Sequence, residues 1–266
     1  MKRFDYTGKI AIITGASSGI GKELARELIS KYGCTVYALS RGKERLELAR
    51  QELGKSYIPY PMDASSKENW RDFAELLKNN DTSPDILINC AGILPKFEPF
   101  LASGSEALKN VVEINLMAGV YGCESIIPLM KDGSAVINIS SASALCPFAL
   151  TSAYSASKAG FENFSEALSC ELDNISVTTV MPGFVKTDIM KSQGASDKDK
   201  KFIDKFSADA YRVARKILKA TRKRKRHLVI GYDAKMMSSF YKSFPNSAPK
   251  TISRFLKKSG LALFNK

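Results

Sequence analysis

Short apolar runs recur along the first 188 residues, at Ile10–Thr14, Thr35–Ser40, Tyr57–Met62, Ile86–Asn89, Ala135–Ser140 and Ser176–Met181. Each is too short for a helix and rich in β-branched residues, so each predicts a strand. Their apolar positions do not alternate with polar ones, the pattern of strands covered on both faces, as in a parallel sheet. Between them the period changes. Ile20, Leu24 and Leu28 fall on one stripe of a helix expected over Gly19–Tyr32. Further helices are expected at Lys43–Leu53, Lys67–Lys78, Glu106–Met130 and Ala153–Asp173. A last helix, Ala208–Lys219, precedes a strand at His227–Ile230. The alternation predicts an α/β fold, a doubly wound parallel sheet of about seven strands with helices on both faces and right-handed crossovers. Residues 1–230 read as one domain and residues 231–266 as a C-terminal helical extension.

The 266-residue length suits one such domain, and 44% hydrophobic with 25% charged residues excludes a disordered chain. No stretch approaches the roughly 18 apolar residues of a membrane span. Met1–Tyr6 is basic but lacks the apolar core of a secretory signal, so a cytoplasmic protein is expected. The five cysteines are widely spaced and read as small buried hydrophobes in a reducing compartment. With His227 the only histidine, neither a zinc site nor a Ser-His-Asp triad is expected.

Charge changes the picture. The net +13 is carried by the C-terminal part: residues 1–188 hold 19 basic and 22 acidic side chains, residues 189–266 hold 21 and 5. Such asymmetry points to an anionic partner, with a solvated surface as the alternative.

Candidate chemistry starts where the first strand ends, at Gly15-Ala16-Ser17-Ser18-Gly19-Ile20-Gly21. Glycines allow a tight turn and close approach to a pyrophosphate, and a helix N-terminus supplies free N–H groups for it. Dinucleotide binding in a Rossmann-type sheet is therefore expected. The second strand ends Ser40-Arg41 without an acid, which favours the extra phosphate of NADP over the free ribose of NAD. A solvent-facing arginine is the other reading of Arg41. Tyr154 and Lys158 stand at i and i+4, one turn apart on one helical face. An ammonium beside a phenol favours the phenolate and makes Tyr154 a usable proton donor or acceptor. Ser141 follows a strand at the end where ligands sit in open α/β sheets, with the adjacent Ser140 as its competitor.

Six motifs in order resemble those of the short-chain dehydrogenase/reductase family. They are the glycine turn, Asn89-Cys90-Ala91-Gly92, Asn115, Ser141, Tyr154-x-x-x-Lys158 and Pro182-Gly183-Phe184-Val185-Lys186-Thr187. Cys90 departs from the family's usual residue there. The resemblance implies Tyr154 as general acid or base, Lys158 holding the nicotinamide ribose, and Ser141 as donor to the substrate oxygen. It also implies a water held at Asn115 for proton resupply. Asp63 and Ala64, with Asn89, Ala91 and Gly92, would line the adenosine. Pro182, Gly183, Val185 and Thr187 would cradle the nicotinamide. The expected activity is NADP(H)-dependent interconversion of a carbonyl and a secondary alcohol, by a homo-oligomer. A non-catalytic dinucleotide sensor or scaffold is the alternative, disfavoured by the intact Asn115, Ser141, Tyr154 and Lys158 set.

In that family the segment after the Pro-Gly motif covers the substrate, here residues 189–206, with Gly194–Lys200 a candidate lid. Leu94–Phe97, Leu145–Phe148 and Phe184 are apolar enough for a hydrophobic, lipid-like substrate. The extension carries the stripes Met236, Phe240, Phe244 and Ile252, Phe255, Leu256 among basic residues. Two expectations stand for it: peripheral contact with an anionic membrane, or packing on the domain or an oligomer partner. The run Arg222–Arg226 lacks a nucleic-acid-binding fold around it, so no nucleic acid is expected.

Overall fold

A seven-stranded, all-parallel sheet runs in the order β3-β2-β1-β4-β5-β6-β7. The computed structural model describes residues 3–189 and 196–265. The strands are β1 (Ile10–Thr14), β2 (Thr35–Ser40), β3 (Tyr57–Pro61), β4 (Ile86–Asn89), β5 (Ala135–Ile139), β6 (Ser176–Pro182) and β7 (His227–Ile230). The chain winds outward from β1 to β3, then crosses back to lay β4 on the other side of β1. That reversal opens a crevice beyond the strand ends, where open α/β sheets bind ligands. Pro59 and Pro61 lie in β3, an edge strand, where a missing N–H breaks no ladder.

Helices α1 (Gly19–Tyr32), α2 (Lys43–Leu53) and α3 (Lys67–Asn79) follow the first three strands. Two buried clusters cover the sheet, one on each face. Leu24, Leu28 and Ile217 pack on Ile13 and Ile137 in the first; Trp70, Phe73 and Leu77 pack on Ile12 and Leu87 in the second. Burial of both faces is why these strands carry no polar alternation.

The fourth crossover differs from the single helix expected over Glu106–Met130. It begins earlier, at α4 (Phe100–Val112), kinks at Gly104, and widens into a π-helical turn at Glu113–Met117 before α5 (Ala118–Ile126). A side-chain stripe reports which face is apolar and does not show where the backbone hydrogen bonds change from the α to the π pattern. The Tyr154–Lys158 helix is α7 (Ser152–Glu171), preceded by a single turn, α6 (Ala142–Leu145).

Part of the lid expected over Gly194–Lys200 lies outside the described residues. Its remainder is the start of α8 (Asp197–Phe206), where Ser196 and Asp199 form a reciprocal capping box. Then come α9 (Ala210–Arg222) and, in the extension, α10 (Tyr232–Ser243) and α11 (Ala248–Lys258). The extension is not a free appendage. Leu256, Leu261, Leu263 and Phe264 are buried with Phe97 and Ile203 in a third apolar cluster. Packing on the domain therefore accounts for Ile252 and Leu256, whereas Phe244 and Phe255 stay exposed. No described helix is long and apolar enough to cross a membrane.

Candidate active site

A cleft of about 690 Å³ runs along the C-terminal ends of the strands. At one end lies the glycine turn. Gly15 adopts φ of 66°, a left-handed conformation, and sits against the backbone of Ala91. A Cβ on Gly21 would stand 2.4 Å from the Gly15 carbonyl oxygen, so only glycine lets α1 start this close to the turn. Ser18 caps α1 without using its side chain on the helix amides, and the first turn carries no acid. Those N–H groups are thus presented to the cleft, as an anionic diphosphate requires. Thr14 Oγ1 accepts from the Cys90 and Ala91 amides at 2.9 and 3.0 Å, pinning the loop after β4 beside the turn.

At the rim, Ser17 and Ser40 share a hydrogen bond of 3.0 Å. Arg41 and Arg45, a turn apart, both line the cleft there. The sequence reading missed Arg45, although its i+4 spacing from Arg41 at the head of α2 was available. Asp63 closes the far side and accepts from the Ser65 amide and hydroxyl at 3.0 and 2.7 Å. Burial raises its pKa, but the Ser65 bonds and the charge of Arg41 outweigh it and hold the carboxyl below its ordinary value.

The other end holds the reactive groups. Ser140 donates to the Lys158 carbonyl at 2.8 Å and is buried, so it locks α7 to β5. Ser141 also lines the cleft wall; it caps α6, accepting from the Ser143 amide. Burial raises the Tyr154 pKa, and the Ser141 hydroxyl opposes the rise. Burial also lowers the Lys158 pKa to about 8. Its ammonium is anchored by donating to the Ile139 carbonyl at 3.0 Å. Burial thus acts on both groups, raising the Tyr154 phenol and lowering the Lys158 ammonium, the reverse of the lowered phenol expected from the Tyr-Lys spacing.

Most predicted residues meet along this cleft, from Gly15 through Ala64, Gly92 and Lys158 to Pro182, Gly183, Val185 and Thr187. Thr187 approaches the turn closely: a Cβ on Gly19 would sit 3.0 Å from its methyl. Two predicted residues are not on the wall. Asn89 is buried beneath it, donating to Asn138 Oδ1 at 2.9 Å. Asn115, in the π-helical turn, accepts from the Ile93 amide at 2.7 Å and donates to the Ile93 carbonyl and Ser157 Oγ at 2.9 and 3.2 Å. It clamps the loop after β4 to the Tyr154–Lys158 helix. His227 pairs with Glu166 at 2.8 Å and is not among the cleft residues.

Asp233, Met237 and Ser143 also line the cleft and escaped the sequence reading. Asp233 accepts from the Phe184 amide at 2.7 Å and so fixes the loop after β6 against α10. Nothing in a lone acid beyond the last strand signals that contact.

The sequence profile of the short chain dehydrogenases matches residues 9–198. The 11-beta-hydroxysteroid dehydrogenase-like 2 of Arabidopsis thaliana is 36% identical over 197 residues, which is 71% of this chain and 63% of that protein. Carbonyl reductase family member 4 of Danio rerio is 32% identical over 68% of this chain and 77% of its own. The chain thus matches somewhat under two thirds of the first relative's length. The L-sorbose reductase of Gluconobacter frateurii, solved with NADPH and L-sorbose, shares the fold: TM-score 0.74, 24% identity, 86% of this chain and 97% of that one.

Proposed function

The chain belongs to the short-chain dehydrogenase family, and from that premise we propose that it is an NADP-dependent oxidoreductase interconverting a carbonyl and a secondary alcohol on a hydrophobic substrate. The observation that carries this reading is the joint placement of Ser141, Tyr154 and Lys158 on one cleft wall with the glycine turn at its other end. The turn fits a dinucleotide, since Gly21 leaves no room for a Cβ and the α1 amides are open to the cleft. Gly15, Ser17, Ile20 and Gly21 would hold the diphosphate. Arg41, Arg45 and Ser40 would hold the 2′-phosphate, which is what favours NADP. Bound there, the cofactor supplies or accepts the hydride.

The remaining chemistry is the protein's. Tyr154 gives its hydroxyl proton to the carbonyl oxygen in reduction and takes it back in oxidation. Its raised pKa suits the acid role, because the phenol is fully protonated near neutrality. Ser141 donates a hydrogen bond to the same oxygen as charge builds on it. Lys158 stays largely protonated below pH 8 and offers its cation to the developing phenolate. Asn115 keeps α7 in register with the loop after β4.

Leu94, Phe97, Phe148 and Phe184 give the substrate end an apolar wall, which supports a hydrophobic or lipid-like carbonyl compound. On this reading the protein works in the cytoplasm, beside anionic membrane surfaces. The test is NADPH oxidation across small aldehydes, keto steroids and long-chain ketones. Turnover that rises with apolar size supports the proposal; no turnover of any carbonyl with either nicotinamide cofactor overturns it and leaves the sensor alternative.

A further inference from the structure

Helix α10 has two unlike faces. Its inner face buries Ala234 and Ser238 and lends Met237 to the cleft wall. Its outer face aligns Tyr232, Met236, Phe240 and Phe244 along an open groove edged by Lys235. The spacing is that of a single helical stripe. Yet Tyr232 is 78% exposed, Met236 55% and Phe244 57%. Scattered exposed hydrophobes need no explanation, but a contiguous stripe on one helix marks an interaction surface.

The charge around this stripe is one-sided. Residues 231–265 contain six cations, Lys235, Lys242, Lys250, Arg254, Lys257 and Lys258, all exposed. Their only acid, Asp233, is buried and bonded to the Phe184 amide. Among the described residues none of the six lies within ion-pairing distance of a carboxylate, although Glu162 is near enough to feel the charge of Lys242. Several basic side chains elsewhere are matched, as Lys22 is by Glu52 at 2.6 Å and Lys67 by Glu124 at 2.9 Å.

We propose that the outer face of α10, with the cationic surface of α11, docks on an anionic lipid bilayer. A bilayer uses both halves of the surface: the lysines and Arg254 meet lipid phosphates, while Tyr232, Met236 and Phe244 enter the boundary with the acyl chains. A second copy of this chain suits it less, because a two-fold contact would set cations against cations. Duplex nucleic acid would use the charge and leave the apolar stripe in water.

Docking in this way sets the lipid against the same helix that lends Met237 to the cleft wall. A substrate dissolved in the bilayer then has a short path to Tyr154. That delivery role rests on the oxidoreductase reading; the binding itself does not.

Co-sedimentation of the full chain with vesicles tests the surface. Vesicles of phosphatidylcholine with about a third phosphatidylserine should retain at least about tenfold more protein than phosphatidylcholine alone. The exposed pair Met236→Ser, Phe244→Ser should lose the binding that survives high salt. The pair Lys257→Glu, Lys258→Glu should lose the salt-sensitive part. Both should keep the parent's melting temperature and its turnover of a small soluble carbonyl, so failure of the surface and failure of the enzyme reading are separable. Three results overturn the proposal: no sedimentation with anionic vesicles at physiological salt, equal loss with cationic substitutions placed outside α10 and α11, or a dimer in light scattering that the Met236→Ser, Phe244→Ser pair dissolves.

Discussion

Phe264 stacks on Phe97 with ring centroids 5.3 Å apart and planes at 27°, and both rings meet Phe148 edge-on. Phe97 and Phe148 line the end of the cleft proposed for the substrate; Phe264 belongs to the 3-10 turn Ala262–Phe264. This part of the extension therefore backs the apolar wall of the cleft. Lys198 and Asp199 hold it there, Lys198 by donating to the Gly260 carbonyl at 3.2 Å and Asp199 by accepting from the Leu263 amide at 3.5 Å.

Replacing Phe264 with Ala removes that backing. A buried Phe→Ala change costs about 3–5 kcal/mol where surroundings cannot collapse. The expected result is a higher KM for large apolar ketones with kcat for a small carbonyl within about threefold. Phe264→Leu, which keeps most of the volume, should restore the large-substrate KM. Equal losses on large and small substrates would show that the ring only stabilises the fold.

Tyr154→Phe keeps the ring and deletes the proton. Turnover should fall by at least about 100-fold, the usual contribution of a general acid, while NADPH affinity measured by fluorescence stays near that of the parent. Activity close to the parent's would remove Tyr154 from the reaction.

Arg41 and Arg45 should act as a pair on the 2′-phosphate. Each Ala substitution is expected to weaken NADPH by roughly tenfold or more, since a charge-assisted contact contributes ~1.5–3 kcal/mol. NADH affinity should barely move. Parent protein that binds the two cofactors equally would show that neither arginine meets the phosphate.

Lys158 carries a stability signature. Burial lowers its pKa from 10.5 to about 8, so the folded protein gives up this proton before the unfolded chain does. Between pH 8 and 10.5 the unfolded state binds more protons, and the stability contribution of this group rises with pH across that window. Below pH 8 the buried charge imposes its full cost. Lys158→Met should therefore unfold at higher urea at pH 7, by on the order of 2–3 kcal/mol, and the gain should shrink toward pH 10. It should also be inactive. A variant less stable than the parent at pH 7 would mean that the bond to the Ile139 carbonyl outweighs desolvation.

What the sequence determined is local. Strand and helix periods, the glycine turn and the Tyr154–Lys158 spacing each fit within a few residues, so β1 to β7 and most of the cleft wall were legible without coordinates. A side-chain pattern reports which face of an element is apolar, and in a parallel sheet that is enough to order the layers. Tertiary structure decided what depends on contacts far apart in the chain. Ser140 and Ser141 are neighbours that periodicity cannot tell apart, and the bond from Ser140 to the Lys158 carbonyl is a contact only the fold creates. The Tyr154–Lys158 pair looked like a lowered phenol until burial, which no spacing encodes, set both pKa directions. The extension could have packed or floated. Its amphipathic periods were compatible with either, because a stripe records that a helix has an apolar side but not what meets it; the contacts of Phe264 with Phe97 and Phe148 put one stripe inside and left Tyr232, Met236 and Phe244 facing out.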